Sequence, residues 1–184
     1  MSDLAGVGQA LQQDFYTLFD LPRRFAIDTE RLERAYLDRQ GQVHPDRHAH
    51  RTEAEKRVAM QWATRVNEGY RTLRKPLTRA RYLLELQGID VGMETNTVMS
   101  PEFLMEQMEW REAVEEARAG ADSLELEQLD RRLVAHAREV NATLAEQLDG
   151  SPPELDAAAD TVRRLMFIEK LQMEIDDAIE ALED

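Results

Sequence analysis

The 184-residue chain has no cysteine. That absence excludes disulfides, cysteine-ligated zinc and a cysteine nucleophile. Glycine (8), proline (6) and aromatic residues (6%) are scarce. No apolar run approaches the roughly 20 residues that a membrane span needs. The N-terminal MSDLAGVGQALQQ lacks a basic segment followed by an apolar core, so a secretory signal is not expected. There is no P-loop and no dinucleotide-binding fingerprint. A soluble, cytoplasmic protein is the expectation. Leu, Ala, Glu, Arg and Gln dominate what is present, and all are good helix formers. The chain is therefore expected to be all-α.

Charge is uneven. The net charge is −14. Residues 1–76 hold 13 Lys/Arg against 11 Asp/Glu, whereas residues 77–184 hold 10 against 26. Such asymmetry suggests two units with different partners. The acidic second half argues against nucleic acid, whose phosphates need cationic neutralisation.

The pattern along the chain divides it further. Residues 1–12, with Gly6 and Gly8, read as a flexible N-terminus. DFYTLFDL (14–21) reads as a short helix ended by Pro22. Asp28 is a helix N-cap, and Leu32, Ala35, Tyr36 and Val43 share one face of the helix that follows. Pro45 closes that helix. A third helix runs from about Thr52 to Leu73, with Val58, Trp62, Val66, Tyr70 and Leu73 as its apolar stripe. These two helices form a helical hairpin. Pro76 breaks the third helix, and a short helix then ends at Gly88. Three longer helices follow. The first starts at Ser100-Pro101, an N-cap with proline at the first helical position, and runs to about Ala119. The second spans about Leu124–Leu148, and the third begins at about Glu154. Short connections between such helices favour an antiparallel three-helix bundle.

One loop concentrates unusual chemistry. QVHPDRHAH (42–50) holds three of the four histidines, His44, His48 and His50, around Asp46. Three readings are open: a metal site, an acid–base cluster and a docking turn. Pro45 interrupts the HxxxHxH spacing and removes the helical geometry on which an i, i+4 pair of ligands relies. No nucleophile, oxyanion stabiliser or glycine-rich context accompanies the histidines, which disfavours an enzyme. Pro45 does fix its own φ and hold His44 extended, so that His44 and Asp46 project from the helix end. An ionised Asp46 is an acceptor suited to a partner arginine.

His44-Pro45-Asp46 between two helices, with Ala35-Tyr36 before it and VNEGYRTL (66–73) after it, resembles a J-domain over residues 14–76. The likeness extends through LRKPLTRARYLLELQGID (73–90), FLMEQMEWREAV (103–114) and AAADTVRRLMFIEKL (157–171). Together these segments resemble the HscB family of J-type co-chaperones of iron–sulfur cluster biogenesis. The resemblance implies an N-terminal J-domain helical hairpin at 13–76, a connecting helix and loop at 77–98, and a client-binding three-helix bundle at 99–184. It implies a chaperone partner of the DnaK type, HscA, docked through His44, Pro45 and Asp46, whose ATPase the J-domain stimulates without itself being a catalyst. It implies the scaffold IscU as client, and no cofactor. A J-domain adaptor for another client is the alternative, with a metal-dependent enzyme on the three histidines behind it.

The site residues follow the same likeness. The helix before the turn departs from the lysine-rich pattern of many J-domains. It ends in Val43 where an aromatic residue is frequent, and Arg39 stands where leucine is usual. Arg34, Arg39 and Arg47 are the candidates for the basic docking surface. In helix 100–119, Phe103, Leu104, Met105 and Met108 spread over more arc than one buried face requires. The surplus is expected to stay exposed as a partner patch, with methionines supplying an adaptable surface. Phe167 is expected off the core stripe of the last helix. Leu104, Met105, Met108 and Phe167 match the family's scaffold-binding positions, with Glu109 and Glu112 as candidates for the rim. Protein purified without a tag is expected to carry no stoichiometric zinc or iron. Elemental analysis finding either would restore the metal reading.

Overall fold

A computed structural model describes residues 13–42, 52–92 and 100–183. The expected flexible segment 1–12 and the His44-Pro45-Asp46 turn lie outside the described residues. Seven helices are described: α1 (Phe15–Leu18), α2 (Thr29–Gln42), α3 (Glu53–Arg74), α4 (Pro76–Leu86), α5 (Pro101–Ala119), α6 (Ser123–Asp149) and α7 (Leu155–Glu183). No strand occurs among the described residues. The chain forms two compact units, Met1–Leu83 and Leu84–Asp184, divided within α4.

In the first unit, Asp14 caps α1. Its carboxylate accepts from the Tyr16 and Thr17 amides at 3.0 and 3.1 Å, the Thr17 hydroxyl at 2.9 Å and Arg23 at 2.8 Å. Burial pushes this carboxyl up, but the Thr17 amide, the Arg23 guanidinium and the Thr17 hydroxyl outweigh it and hold the group below the ordinary aspartate value. Pro22 is not what ends the helix. The end comes three residues after Thr17, where Asp20 takes a left-handed φ of 53°. The Leu21 amide then reaches back to the Tyr16 carbonyl at 2.9 Å, and the Asp20 amide to Thr17 at 3.2 Å. This pair of bonds satisfies the last carbonyls of the helix, with aspartate where glycine is commoner.

Helix α3 serves two neighbours at once. Towards α2, Tyr70 stacks on Tyr36 with ring centroids 4.0 Å apart. The Tyr36 hydroxyl donates to Asn67 at 3.0 Å, and the Tyr70 hydroxyl donates to Glu33. These pairings run in opposite chain directions, so α2 and α3 form an antiparallel hairpin. Towards α1, Gly69 faces the Phe15 and Phe19 rings, and a Cβ built there would stand 2.7 Å from Phe15 Cδ1 and 3.0 Å from Phe19 Cε2. Both rings are buried. The Arg65 guanidinium covers Phe15 at 4.2 Å, and Tyr82 of α4 packs against the same ring at 4.7 Å. Thr52 opens α3 with a reciprocal capping box to Glu55, worth about 1 kcal/mol. Buried Arg79 donates to the Leu73 carbonyl at 2.7 Å and so closes the helix end.

In the second unit, α6 runs antiparallel to α5 and α7. Leu126, Leu129, Leu133, Val140 and Leu144 of α6 are buried, as are Val162, Leu165, Ile168, Leu171 and Ile175 of α7. Full burial of each such side chain stabilises by about 1.5–3 kcal/mol. An exposed ion pair such as Arg131–Glu127 at 3.4 Å contributes at most about 1 kcal/mol. The apolar stripes therefore hold the bundle. The α5–α6 turn is tight because Asp122 has two jobs. Its amide bonds the Ala117 carbonyl at 3.0 Å, and its side chain accepts from Glu125 as the N-cap of α6.

Replacing Gly69 with alanine adds helix propensity worth about 1 kcal/mol but drives a methyl group into two buried rings. Overpacking of that kind costs about 1–3 kcal/mol, so Gly69→Ala is expected to lower the urea midpoint. Unchanged or raised stability would refute the close approach. The lowered Asp14 carboxyl contributes stability that is full above the ordinary aspartate range and is lost as pH falls through the lowered value. Asn caps as well as Asp. Urea melts of Asp14→Asn are therefore expected to show a flatter loss of stability towards acid, while an acid limb as steep as that of the unaltered protein would count against Asp14.

Candidate functional site

His44, Pro45, Asp46 and Arg47 lie outside the described residues, between the end of α2 at Gln42 and the capped start of α3 at Thr52. Arg34 is exposed and makes only a 3.6 Å pair with Glu30 on its own helix. Arg39 is engaged differently. Its Nε donates to the Leu18 carbonyl at 3.1 Å, and its terminal nitrogen meets Asp20 at 2.6 Å. Arg31 donates to the Asp20 carbonyl beside it. The two arginines thus tie α2 to the left-handed turn that ends α1. The sequence alone did not disclose this role for Arg39.

The client candidates lie on α5. Leu104, Met105 and Met108 are 46%, 62% and 70% exposed. They fall within about 100° of arc, on the side of the helix away from Phe103, Val114 and Ala117, which are buried. Glu109 and Glu112 are exposed beside them. Together they form a contiguous apolar patch in water.

Phe167 corrects an expectation. It is 9% exposed, inside the core rather than off it. Its ring meets Phe103 edge-on at 6.1 Å, and the Arg111 guanidinium lies 5.8 Å from its centre. The reason is that α7 packs against both α5 and α6, so its buried arc is wider than a single-stripe helix needs.

Two groups at the back of the patch carried no signal in the sequence. Glu106, in the turn of α5 between Met105 and Met108, places Oε1 at 2.6 Å from His136 Nε2 of α6 and Oε2 at 3.2 Å from Arg164 Nε of α7. The His136 contact is close but is not an aligned hydrogen bond. His136 also lies 6.3 Å from Trp110, whose other neighbour is the Arg132 guanidinium at 5.3 Å. A single histidine in a long helix reads as a surface residue, and only the packing of α5 against α6 shows its partner. Among the described residues, no cluster of three His, Asp or Glu side chains is arranged to hold a metal ion. No described helix is long and apolar enough to cross a membrane.

These elements define an all-α protein with an N-terminal J-domain helical hairpin and a C-terminal antiparallel three-helix bundle. Residues 99–183 match the family described as HSCB C-terminal oligomerisation domain. Over 95% of its length the chain is 67% identical to the co-chaperone protein HscB homolog of an Azoarcus species, covering 98% of that protein. It is 50% identical to the homolog from Cupriavidus taiwanensis, over 97% of this chain and all of the other. The solved structure of chaperone HscB from Vibrio cholerae superposes with a TM-score of 0.80 at 39% identity, over 92% of this chain and 99% of that one. That of human co-chaperone protein HscB superposes with a TM-score of 0.83 at 28% identity, over 90% and 81%. The chain belongs to the HscB family of co-chaperones.

Proposed function

We propose that this protein brings a bound iron–sulfur scaffold of the IscU kind to a DnaK-type chaperone of the HscA kind and stimulates that chaperone's ATPase, promoting cluster assembly and transfer in the cytoplasm. It acts by binding at two places and needs no cofactor and no catalytic group of its own. The observation that carries this reading is the exposed Leu104, Met105 and Met108 set on α5, across the helix from the face that α5 buries in its own bundle. A helix with a packed face and a second apolar face in water is suited to hold a partner through burial. Glu109 and Glu112 at the edge add selectivity for a client with basic groups near its contact. Phe167 contributes from beneath Arg111, once that side chain moves aside.

Residues 13–76 serve as the J-domain. His44, Pro45 and Asp46 engage the ATPase, and Arg34 and Arg47 add positive charge. Arg39 would join them only by releasing Asp20, which makes it the weakest of the three arginine candidates. Residues 99–184 serve as the client-binding bundle, and 77–98 connect the two.

A steady-state ATPase assay with the chaperone and the scaffold, with and without this protein, tests both surfaces. His44→Gln or Asp46→Asn is expected to abolish stimulation and leave scaffold binding unchanged. Combined Leu104→Ala, Met105→Ala and Met108→Ala is expected to weaken scaffold binding by about 2 kcal/mol or more, roughly 30-fold. Normal stimulation by the His44 variant would remove the docking role, and undiminished scaffold affinity of the α5 variant would move the client elsewhere.

A further inference from the structure

Two polar atoms at one end of the bundle are shut from water with nothing to bond. They are Arg163 Nε of α7, a donor, and Gln147 Oε1 of α6, an acceptor. A buried polar group without a partner costs more than a made hydrogen bond returns, so an orphaned donor and acceptor side by side call for a partner. Both residues line one cavity of about 250 Å³, where the start of α5 meets the end of α6 and the first turns of α7. Each orphan belongs to a long side chain, and a change of rotamer turns it towards a guest.

The rest of the wall narrows what that guest can be. Phe103 and Ala157 supply apolar surface. Charge is balanced, because Arg163 pairs with Asp160 and Arg164 with Glu106 at 3.2 Å. The Thr161 hydroxyl donates to the Ala157 carbonyl at 3.0 Å, and Ser100 Oγ accepts from the Phe103 amide at 3.2 Å. One buried donor and one buried acceptor are thus left unmade in a neutral setting. A water molecule takes up about 30 Å³, so the cavity is several times too large for a single bridging water. A carboxylate would answer Arg163 but brings no proton for Gln147. A carboxamide brings a carbonyl for Arg163, an N–H for Gln147 and no charge, and its methylene stem suits Phe103 and Ala157.

The mouth of the cavity faces the apolar patch on α5. Ser100 is exposed, and so is the Asp160 side chain, at 73%. The Leu104 amide bonds the Ser100 carbonyl at 3.1 Å, so this rim lies one helical turn from Leu104. We infer that the cavity is a subsite for a primary carboxamide, the end of an asparagine or glutamine side chain on the client that covers Leu104, Met105 and Met108. The client as its source rests on the function proposed above. The chemistry of the cavity does not.

Acetamide is the probe, and acetate is its charged isostere. The full chain is labelled with nitrogen-15 and titrated with each at matched ionic strength. Acetamide is expected to shift the Arg163 Nε–H and Gln147 side-chain amide signals saturably, with half-saturation in the millimolar range that so small a ligand can reach. Acetate is expected to bind at least tenfold more weakly. Gln147→Met keeps the volume and removes the acceptor, so it is expected to abolish the acetamide response, and a response that survives would overturn the inference. If that variant does not fold, the two titrations of the unaltered protein decide. Shifts that only rise linearly with acetamide report a cavity holding water alone and overturn it. Acetate binding as tightly does the same, since it requires two donors with the Gln147 amide turned over. Excess IscU is expected to remove the acetamide response, and an undiminished response in that complex would overturn the client as the source. Failure of the unaltered protein to bind a scaffold would defeat the proposed function and leave the acetamide result standing.

Discussion

Much of the first unit depends on one missing methyl group. Gly69 lets the rings of Phe15 and Phe19 lie against the backbone of α3. Had any side chain stood there, α1 would sit further out, and Tyr82, Arg65 and the capped turn at Asp20 would lose their present partners. Next to Gly69 in the chain, on a different face, Asn67 and Tyr70 hold α2 through Tyr36 and Glu33. One short stretch of α3 thus receives two helices from two directions. The α2–α3 hairpin is built on that stretch.

The bundle meets a different constraint. Its purpose, on the reading proposed, is to keep apolar surface in water on a helix that also contributes apolar surface to a core. Hydrophobic burial is non-directional and would hide whichever residues fitted. The long stripes of α6 and α7 are buried, while Leu124 and Met173 stand exposed on the opposite faces. In α5 the second half supplies the direction, with Val114 and Ala117 buried on the side of Phe103 and Arg111, Glu112 and Glu115 in water. Charge is a poor source of stability here, being partly open to solvent.

Arg39 and Phe167 show where local pattern and tertiary arrangement part. Arg39 stands on the helix that resemblance associates with docking, yet it ties that helix to Leu18 and Asp20. The contact joins residues about twenty positions apart across a turn with a left-handed aspartate, and no periodicity encodes it. Phe167 lies off the stripe of α7 if the helix is given a single neighbour. It has two, and its ring is covered by Phe103 and Arg111. The exposure of Leu104, Met105 and Met108 was legible, because one helix carrying that many large apolar residues cannot bury them all. The approach of Glu106 to His136 and Arg164 was not, since it joins three separate helices.

By itself the sequence determined the helices. Caps at Asp28, Thr52 and Ser100, breaks at Pro76 and Gly88, and stripes with helical period set elements whose ends agree with the structure to within a residue or two, because those signals act within a turn or two of backbone. The order of the motifs identified the family. Tertiary structure alone decided why α3 needs a glycine in its interior, and what Arg39 and His136 contact. Each of these depends on a group from another helix arriving at a given distance, and a linear pattern holds no information about distance between segments until the chain has folded.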